Sequence, residues 1–352
     1  MIISRTPYRV SFFGGGTDYP VWYREHGGAV LAVTIDKYCY LTCRYLPPFF
    51  EHRTRVVYGR IETCQSNDNL AHPCVRATLK YLNMDRGLEI HHDGDLPARS
   101  GMGSSSSFTV GLLHAMHALR GTMPTKEQLA YESIHIEQDL LNEVVGSQDQ
   151  VMAAHGGLSF IVFRPGGEIQ VRPVVVGMDR ARELNAHLML FYTGVRRTAS
   201  DIARTYNLSS SRQRHLHVLR NFVDRGLAIL SGRGSLDSFG KLIHEAWMIK
   251  RSLSACVSNA FVNNLYDTAR AAGALGGKLI GAGGGGFLLL LVPPDRQGAV
   301  KRALGNLIHV PFTFESSGSQ IIFNEPAVDY SAAETARANQ DILPCTELCT
   351  AA

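Results

Sequence analysis

Three groups of residues in this chain have the types and spacing for chemistry on phosphate. The first is Leu96-Pro97-Ala98-Arg99-Ser100-Gly101-Met102-Gly103-Ser104-Ser105-Ser106-Ser107, which runs directly into an apolar stripe at Phe108, Leu112, Leu113, Met116 and Leu119. Glycine lets the backbone approach an anion and reach positive φ. The first amides of the following helix have no intrahelical partner and lie at the positive end of its dipole. Serine hydroxyls add donors for phosphate and oxygen ligands for a hard cation such as Mg²⁺. A Gly/Ser linker rarely runs without pause into so regular a stripe. The pattern reads as a cradle for nucleotide phosphates.

The second group is acidic and basic. Phosphoryl transfer needs a metal ligand, an acceptor for the nucleophile's proton, and positive charge near the moving phosphoryl group. Glu137 lies among Ser133, Ile134, Leu140 and Leu141 on its helix, a largely apolar face where a carboxylate calls for a cation or a partner. Read as an edge residue, it would instead belong to the solvated face. Asp149 falls in a polar patch, Gly146 to Gln150, between two valine runs, which suits a lined cleft or a surface turn. Arg9 alternates with apolar neighbours in Tyr8 to Phe13, as an exterior strand residue also would. Gly14-Gly15-Gly16-Thr17-Asp18 then offers hydrogen-bonding groups on flexible backbone, suitable for a polyhydroxy ligand.

The third group, Gly281-Ala282-Gly283-Gly284-Gly285-Gly286, spells a dinucleotide fingerprint in the wrong setting. That fingerprint needs a strand before and a helix after. Here a helical segment precedes and the strand-like run 287–292 follows. The glycines read either as a turn that lets a ligand or another domain approach closely, or as packing of a sharp bend. The 14 histidines lack zinc spacing, so no transition metal is assigned. The seven cysteines include no CxxC pair and read as reduced thiols of a cytoplasmic protein.

The elements that must position these groups follow from patterning. At 352 residues, 45% hydrophobic and 19% charged, the chain has material for two ordinary globular domains. A net charge of +4 without a basic block excludes an obvious nucleic-acid footprint. The run 287–292 is far below the ~20 residues of a membrane span, and the N-terminal apolar run is too short for a signal peptide. Runs at Tyr8–Phe13, Ala29–Ile35, Tyr38–Tyr45 and Arg55–Tyr58 predict strands. Residues 70–83 read as helix and Leu88–His92 as strand. Two helices follow the Gly/Ser loop, the second opened by the capping pattern Thr125-Lys126-Glu127-Gln128. A strand at His187–Tyr192, helices over 199–273, a strand at 287–292, a helix near 296–306 and strands at 308–323 make up the second half. The expected domains are 1–190 and 191–326, with 327–352 a tail of little periodicity.

Taken in order, Pro7 to Asp18, Leu96 to Ser106 and Lys278 to Gly286 resemble the three motifs of the GHMP small-molecule kinases, over about residues 2–325. The resemblance implies an α+β, two-domain fold. Its N-terminal domain would be S5-like with a left-handed β-α-β feature, and its C-terminal domain ferredoxin-like, with ATP and Mg²⁺ bound between them. It implies that Arg99, Ser100, Gly101, Met102, Gly103, Ser104, Ser105 and Ser106 hold the nucleotide. Ser105 and Glu137 would ligate Mg²⁺, and Asp149 would orient or deprotonate the acceptor hydroxyl beside Arg9. Gly16, Thr17, Asp18 and Gly283 would face the substrate. Gly14-Gly15-Gly16 replaces the Gly-Glu-His of the galactokinase- and mevalonate-kinase-like members. With Gly146 to Gln150 and Phe191-Tyr192-Thr193-Gly194, it is most similar to the subgroup that phosphorylates the anomeric hydroxyl of a heptose 7-phosphate. A kinase for a free sugar such as L-fucose, or a silent sensor on the same scaffold, is the alternative. A substrate phosphate would need a cationic anchor, for which Arg196, Arg197, Lys250 and Arg251 are candidates. The implied partner is a small sugar phosphate, with no nucleic acid or membrane, and the protein a monomer or homodimer.

Overall fold

The structure, a computed structural model, describes residues 1–98, 100–195, 210–232, 234–252, 257–281, 283 and 285–338. Its spine is the antiparallel pair β1 (Ile2–Phe13) and β2 (Gly28–Tyr45), joined through a loop and α1 (Pro20–His26). The two runs 29–35 and 38–45 are one strand. Tyr8 pairs with Ile35 and Pro7 with Tyr38, so Asp36 and Lys37 bulge out of register. A polar pair that mimics a turn is instead a kink within a single strand.

Beyond β2 come β3 (Thr54–Val57), β4 (Ile61–Cys64), α2 (Pro73–Tyr81) and β5 (Leu88–Gly94). β3 and β5 run parallel, Arg55 opposite Glu89, with β4 and α2 between them in the chain. β5 also pairs with the second half of β2. The long helix α3 (Ser104–Leu119) packs on β1 and β2 with Val110, Leu112, Leu113, Ala115 and Met116 fully buried. Gly111 permits this approach, because a Cβ there would stand 2.8 Å from Thr6 Oγ1. Ser4 Oγ donates to the Gly111 carbonyl at 2.8 Å, and Ser107 Oγ to the Pro7 carbonyl at 2.9 Å. The start of α3 is thereby pinned two residues from Arg9.

α4 (Lys126–Ile134) opens as its capping pattern predicts, Thr125 Oγ1 accepting from the Gln128 amide at 3.1 Å. It passes into one π-helical turn, His135–Leu140. α5 (Gln148–His155), β6 (Leu158–Phe163) and β7 (Ile169–Pro173) follow, β6 pairing with the first half of β2.

After α6 (Met178–His187) the chain builds a second sheet. Its members are β8 (Leu188–Tyr192), the helices α7 (Ser210–Ser231), α8 (Asp237–Ser252) and α9 (Ala260–Ala271), then β9 (Gly276–Leu279), β10 (Phe287–Leu291), α10 (Gln297–Ala303) and β11 (Ile308–His309). The order β11-β8-β10-β9, all antiparallel, places fourth, first, third and second strands side by side. That is the ferredoxin-like arrangement, with three helices among the described residues where the simplest version has one. The fold is α+β with two sheets.

Two expectations change. The last strands do not stay with the second sheet: β12 (Phe314–Glu315) pairs with β2, and β13 (Gln320–Asn324) pairs with β1. The bulged Asp36 draws them back, its carboxylate accepting from the Thr313 amide and hydroxyl at 2.8 Å each. Residues beyond Pro326 are also structured in part. An Ala-rich helix, α11 (Ser331–Ala338), follows Asp329, which pairs with Arg86, and carries Glu334, which pairs with Arg53. Residues 339–352 lie outside those described. No described helix is long and apolar enough to cross a membrane.

Candidate functional site

Arg9 and Asp149 meet although 140 residues separate them. From the middle of β1, Arg9 Nε donates to Asp149 Oδ1 and Nη2 to Oδ2, each at 2.7 Å, a two-pronged pair. Its Nη1 donates to the Gly101 carbonyl at 2.7 Å, and its backbone amide to the Met102 carbonyl at 3.2 Å. The arginine is buried, while the Asp149 side chain keeps 25% of its exposure. Asp149 stands in the first turn of α5, and Ser11 Oγ ties the adjacent Gln148 back to β1 at 3.0 Å. Gly103, in left-handed conformation at the N-cap of α3, faces the same carboxylate: a Cβ there would lie 3.4 Å from Asp149 Oδ2. The loop expected to cradle phosphate and the carboxylate thus share one wall.

The two glycine motifs close that wall from opposite ends of the chain. Gly101, at φ +82°, packs so tightly on the second turn that a Cβ would stand 2.4 Å from the Ile280 carbonyl oxygen. A Cβ on Gly281 would meet Gly101 Cα at 2.7 Å, and one on Gly286 the Ser100 carbonyl oxygen at 2.2 Å. Of the two readings of the second run, close approach of another segment is the one realised. Gly101→Ala is expected to cost about 2–4 kcal/mol through left-handed strain plus backbone overlap. Gly121, at φ +71° with open space around it, is the control, since Gly121→Ala incurs the strain alone. Thermal unfolding of the two variants separates the terms.

Glu137 occupies the π-helical turn with 1% of its surface exposed. It accepts from Thr109 Oγ1 at 2.7 Å, from Ser106 Oγ at 2.9 Å and from Gln150 Nε2. Burial pushes its carboxyl up to about 7, with Glu143 adding to the rise and the three donors opposing it. The serine hydrogen-bonded to Glu137 is Ser106, while Ser105, the expected metal ligand, is exposed at the helix start. Ser106 and Thr109, three residues apart, share the face of α3 that meets Glu137. The donor set suits Mg²⁺. It is all hard oxygen, it carries one buried carboxylate whose described hydrogen-bond partners are all neutral, and Gln150 Oε1 beside it is buried without a partner. No three His, Cys, Asp or Glu side chains converge among the described residues, so a cation here would complete its shell from ligand phosphates and water.

The remaining expected residues divide. Gly16 donates its amide to Asp18 Oδ1 at 2.8 Å. Asp18 is buried, and that burial raises its carboxyl, opposed by the Gly16 amide and reinforced by Asp149. Thr17 has no exposed surface: its hydroxyl lies between the Gly14 and Ala29 carbonyls and accepts from the Ala29 amide at 3.1 Å. It holds the loop's shape and does not face a ligand, because every direction around its oxygen is taken by backbone. Gly283, at φ +118°, packs on Val257. Arg251 pairs outward with Asp267, whereas Lys250 is buried and donates to the Gly281 carbonyl at 3.0 Å. Arg99, Arg196 and Arg197 lie outside the described residues.

Sequence reasoning passed over Lys278, quoted within a motif but given no task. From β9 it donates to the Ser11 and Phe12 carbonyls at 2.8 and 3.2 Å, joining the second sheet to the end of β1. Burial, with Lys250 and Arg9 near, lowers its ammonium well below the usual range, and Asp18 opposes the shift. A cavity of about 540 Å³ between α6 and the end of α7, lined by Arg180, Glu183 and Leu230, shares none of these residues.

Comparison with known proteins places this geometry. The family model described as the N-terminal domain of GHMP kinases matches residues 69–157, and that of the C-terminal domain matches 227–309. The chain belongs to the GHMP kinases. It is an ATP-dependent small-molecule kinase, and such kinases generally use Mg²⁺. The D-glycero-alpha-D-manno-heptose 7-phosphate kinase of Campylobacter jejuni is 26% identical over 324 residues, 86% of this chain and 93% of that protein. The L-fucokinase/L-fucose-1-P guanylyltransferase of Bacteroides fragilis is 26% identical over 349 residues, 86% of this chain but 35% of its own length. Among solved structures, a D-glycero-D-manno-heptose 1-phosphate kinase from Bacteroides thetaiotaomicron superposes with a TM-score of 0.75 at 24% identity, covering 92% of this chain and 99% of that one, which establishes the shared fold.

Proposed function

We propose that this GHMP kinase is a sugar kinase that transfers phosphate from Mg·ATP to the anomeric hydroxyl of a heptose 7-phosphate, giving the 1,7-bisphosphate. The observation that carries this reading is the near end-to-end correspondence with the Campylobacter heptose 7-phosphate kinase, whereas the fucokinase match spans a third of a longer protein. The loop 99–106 and the first amides of α3 would hold the ATP phosphates. Glu137 and Ser106, with Ser105 at the helix mouth, would hold Mg²⁺, which when bound offsets charge on those phosphates. Asp149, its carboxylate held in place by Arg9, would take the proton of the acceptor hydroxyl as that oxygen bonds to phosphorus and ADP leaves. Gly16 and Asp18 would orient the sugar beside Gly283, and Arg196 and Arg197 would anchor its distal phosphate. The enzyme would act in the cytoplasm, as a monomer or homodimer.

ADP release should be fast with D-glycero-D-manno-heptose 7-phosphate and at least about 10²-fold slower, in kcat/KM, with L-fucose or galactose, since a cationic anchor is left unpaired by a free sugar. Phosphorus NMR should show one new anomeric phosphate. Turnover of the free sugars alone would replace the heptose reading, and nucleotide binding without turnover of any of them would favour a sensor.

A further inference from the structure

The cation expected to face the moving phosphoryl group, Arg9, is engaged elsewhere. Three of its five N–H donors are taken, two by Asp149 and one by the Gly101 carbonyl. It therefore works mainly as the strut that sets Asp149 against the cradle. Charge that builds on the equatorial oxygens during transfer still calls for a positioned cation.

We propose that Lys250 is that cation, a further catalytic residue contributed by α8. This rests on the reading of the site as a phosphoryl-transfer centre with Asp149 as base, and not on the choice of sugar. Lys250 is 8% exposed and its Nζ donates to the Gly281 carbonyl at 3.0 Å. Gly281 is the residue packed on Gly101 of the cradle. The same Nζ lies 3.9 Å from where a Cβ on Gly15 would be, as does Ser11 Oγ, and Ser11 holds Gln148 next to Asp149. The ammonium thus stands where the cradle, the loop 14–18 and the start of α5 come together. Gly15 leaves room there that any side chain would fill. Lys278, the other buried lysine near it, is held by the Ser11 and Phe12 carbonyls of β1. Arg251, the next residue, turns outward to Asp267 and has no part in this.

The test uses Lys250→Met, Lys250→Arg and Lys250→Cys in the full chain, assayed with whichever acceptor the wild type turns over. A wrong heptose assignment therefore leaves this test intact. Lys250→Met should lower kcat about 10²–10³-fold, with KM for ATP and for the sugar within about threefold of wild type. Treating Lys250→Cys with 2-bromoethylamine, which rebuilds a cation one sulfur removed from lysine, should recover at least a tenth of wild-type kcat; treated wild type is the control. A KM rise for the sugar with kcat unchanged would make Lys250 a substrate anchor and overturn the proposal. So would a loss that follows lowered thermal stability and weakened ATP binding and is not recovered by aminoethylation, the behaviour of a strut.

Discussion

Asp149→Asn is expected to lower kcat by at least about 10³-fold while ATP still binds. The substitution keeps the size of the side chain and one oxygen for Arg9 Nε, and removes two things. The acceptor hydroxyl loses its proton acceptor, a term worth about 10²–10⁴ in rate. The amide also turns an NH₂ toward Arg9 Nη2 where Oδ2 stood at 2.7 Å, so the strut loses half its hold. Removing one partner of a fully buried pair costs 3–5 kcal/mol. Asp149 is 25% exposed, so solvent screens part of the loss, and about 1–2 kcal/mol is expected here. Single-turnover rates, calorimetric titration with ATP and thermal unfolding together check the three parts. A variant retaining more than a tenth of wild-type kcat would remove Asp149 from the chemistry.

The second large effect concerns Glu137. Its carboxyl is pushed up to about 7 from an ordinary 4.5, chiefly by burial. Between those values the folded chain holds a proton that the unfolded chain has released. Stability therefore falls as pH rises through that window and levels off above about 7, by about 3 kcal/mol in all if this group acts alone. A cation on the carboxylate reverses the preference. Mg²⁺ affinity should climb with pH up to about 7, by at most tenfold for each pH step of one, and binding at pH 6 should release a proton. Glu137→Gln should flatten both dependences. It should also raise the Mg²⁺ concentration for half-activation at pH 8 by about 10²-fold, while the neutral amide leaves the apo fold at least as stable there. Denaturation of the metal-free protein across pH 5–8, beside Mg²⁺ titrations of activity, checks each sign. Stability that increases across the window would contradict the burial argument.

What could be read from the sequence was local. Apolar spacing located α3, the Thr125 cap located α4, and the glycines announced sharp turns at both ends of the site. Residues that owe their place to contacts far along the chain were less legible. Asp36 and Lys37 look like a turn between two strands because nothing local reveals that strands near 314–324 will dock at their bulge. Ser105 and Ser106 are indistinguishable as letters, and only the phase of α3 against the π-helical turn separates them. Thr17 looks like a ligand-facing hydroxyl until the Gly14 and Ala29 carbonyls close around it. Lys278 carries no local sign that the end of β1 will lie beneath it. For Arg9 and Asp149 the residue types suggested tasks, but the 140-residue gap hid their meeting, which a family resemblance anticipated.

The bare contact between residues 101 and 281 limits how this enzyme can be rebuilt. With no side chain to trim or enlarge at that seam, neither turn can be altered to accommodate a foreign partner. A chimera that joins the first half of this chain to the second half of another kinase should assemble only if the incoming turn follows the same backbone path to within a few tenths of an ångström. The two turns are a single inheritable part, carried at distant places in one gene.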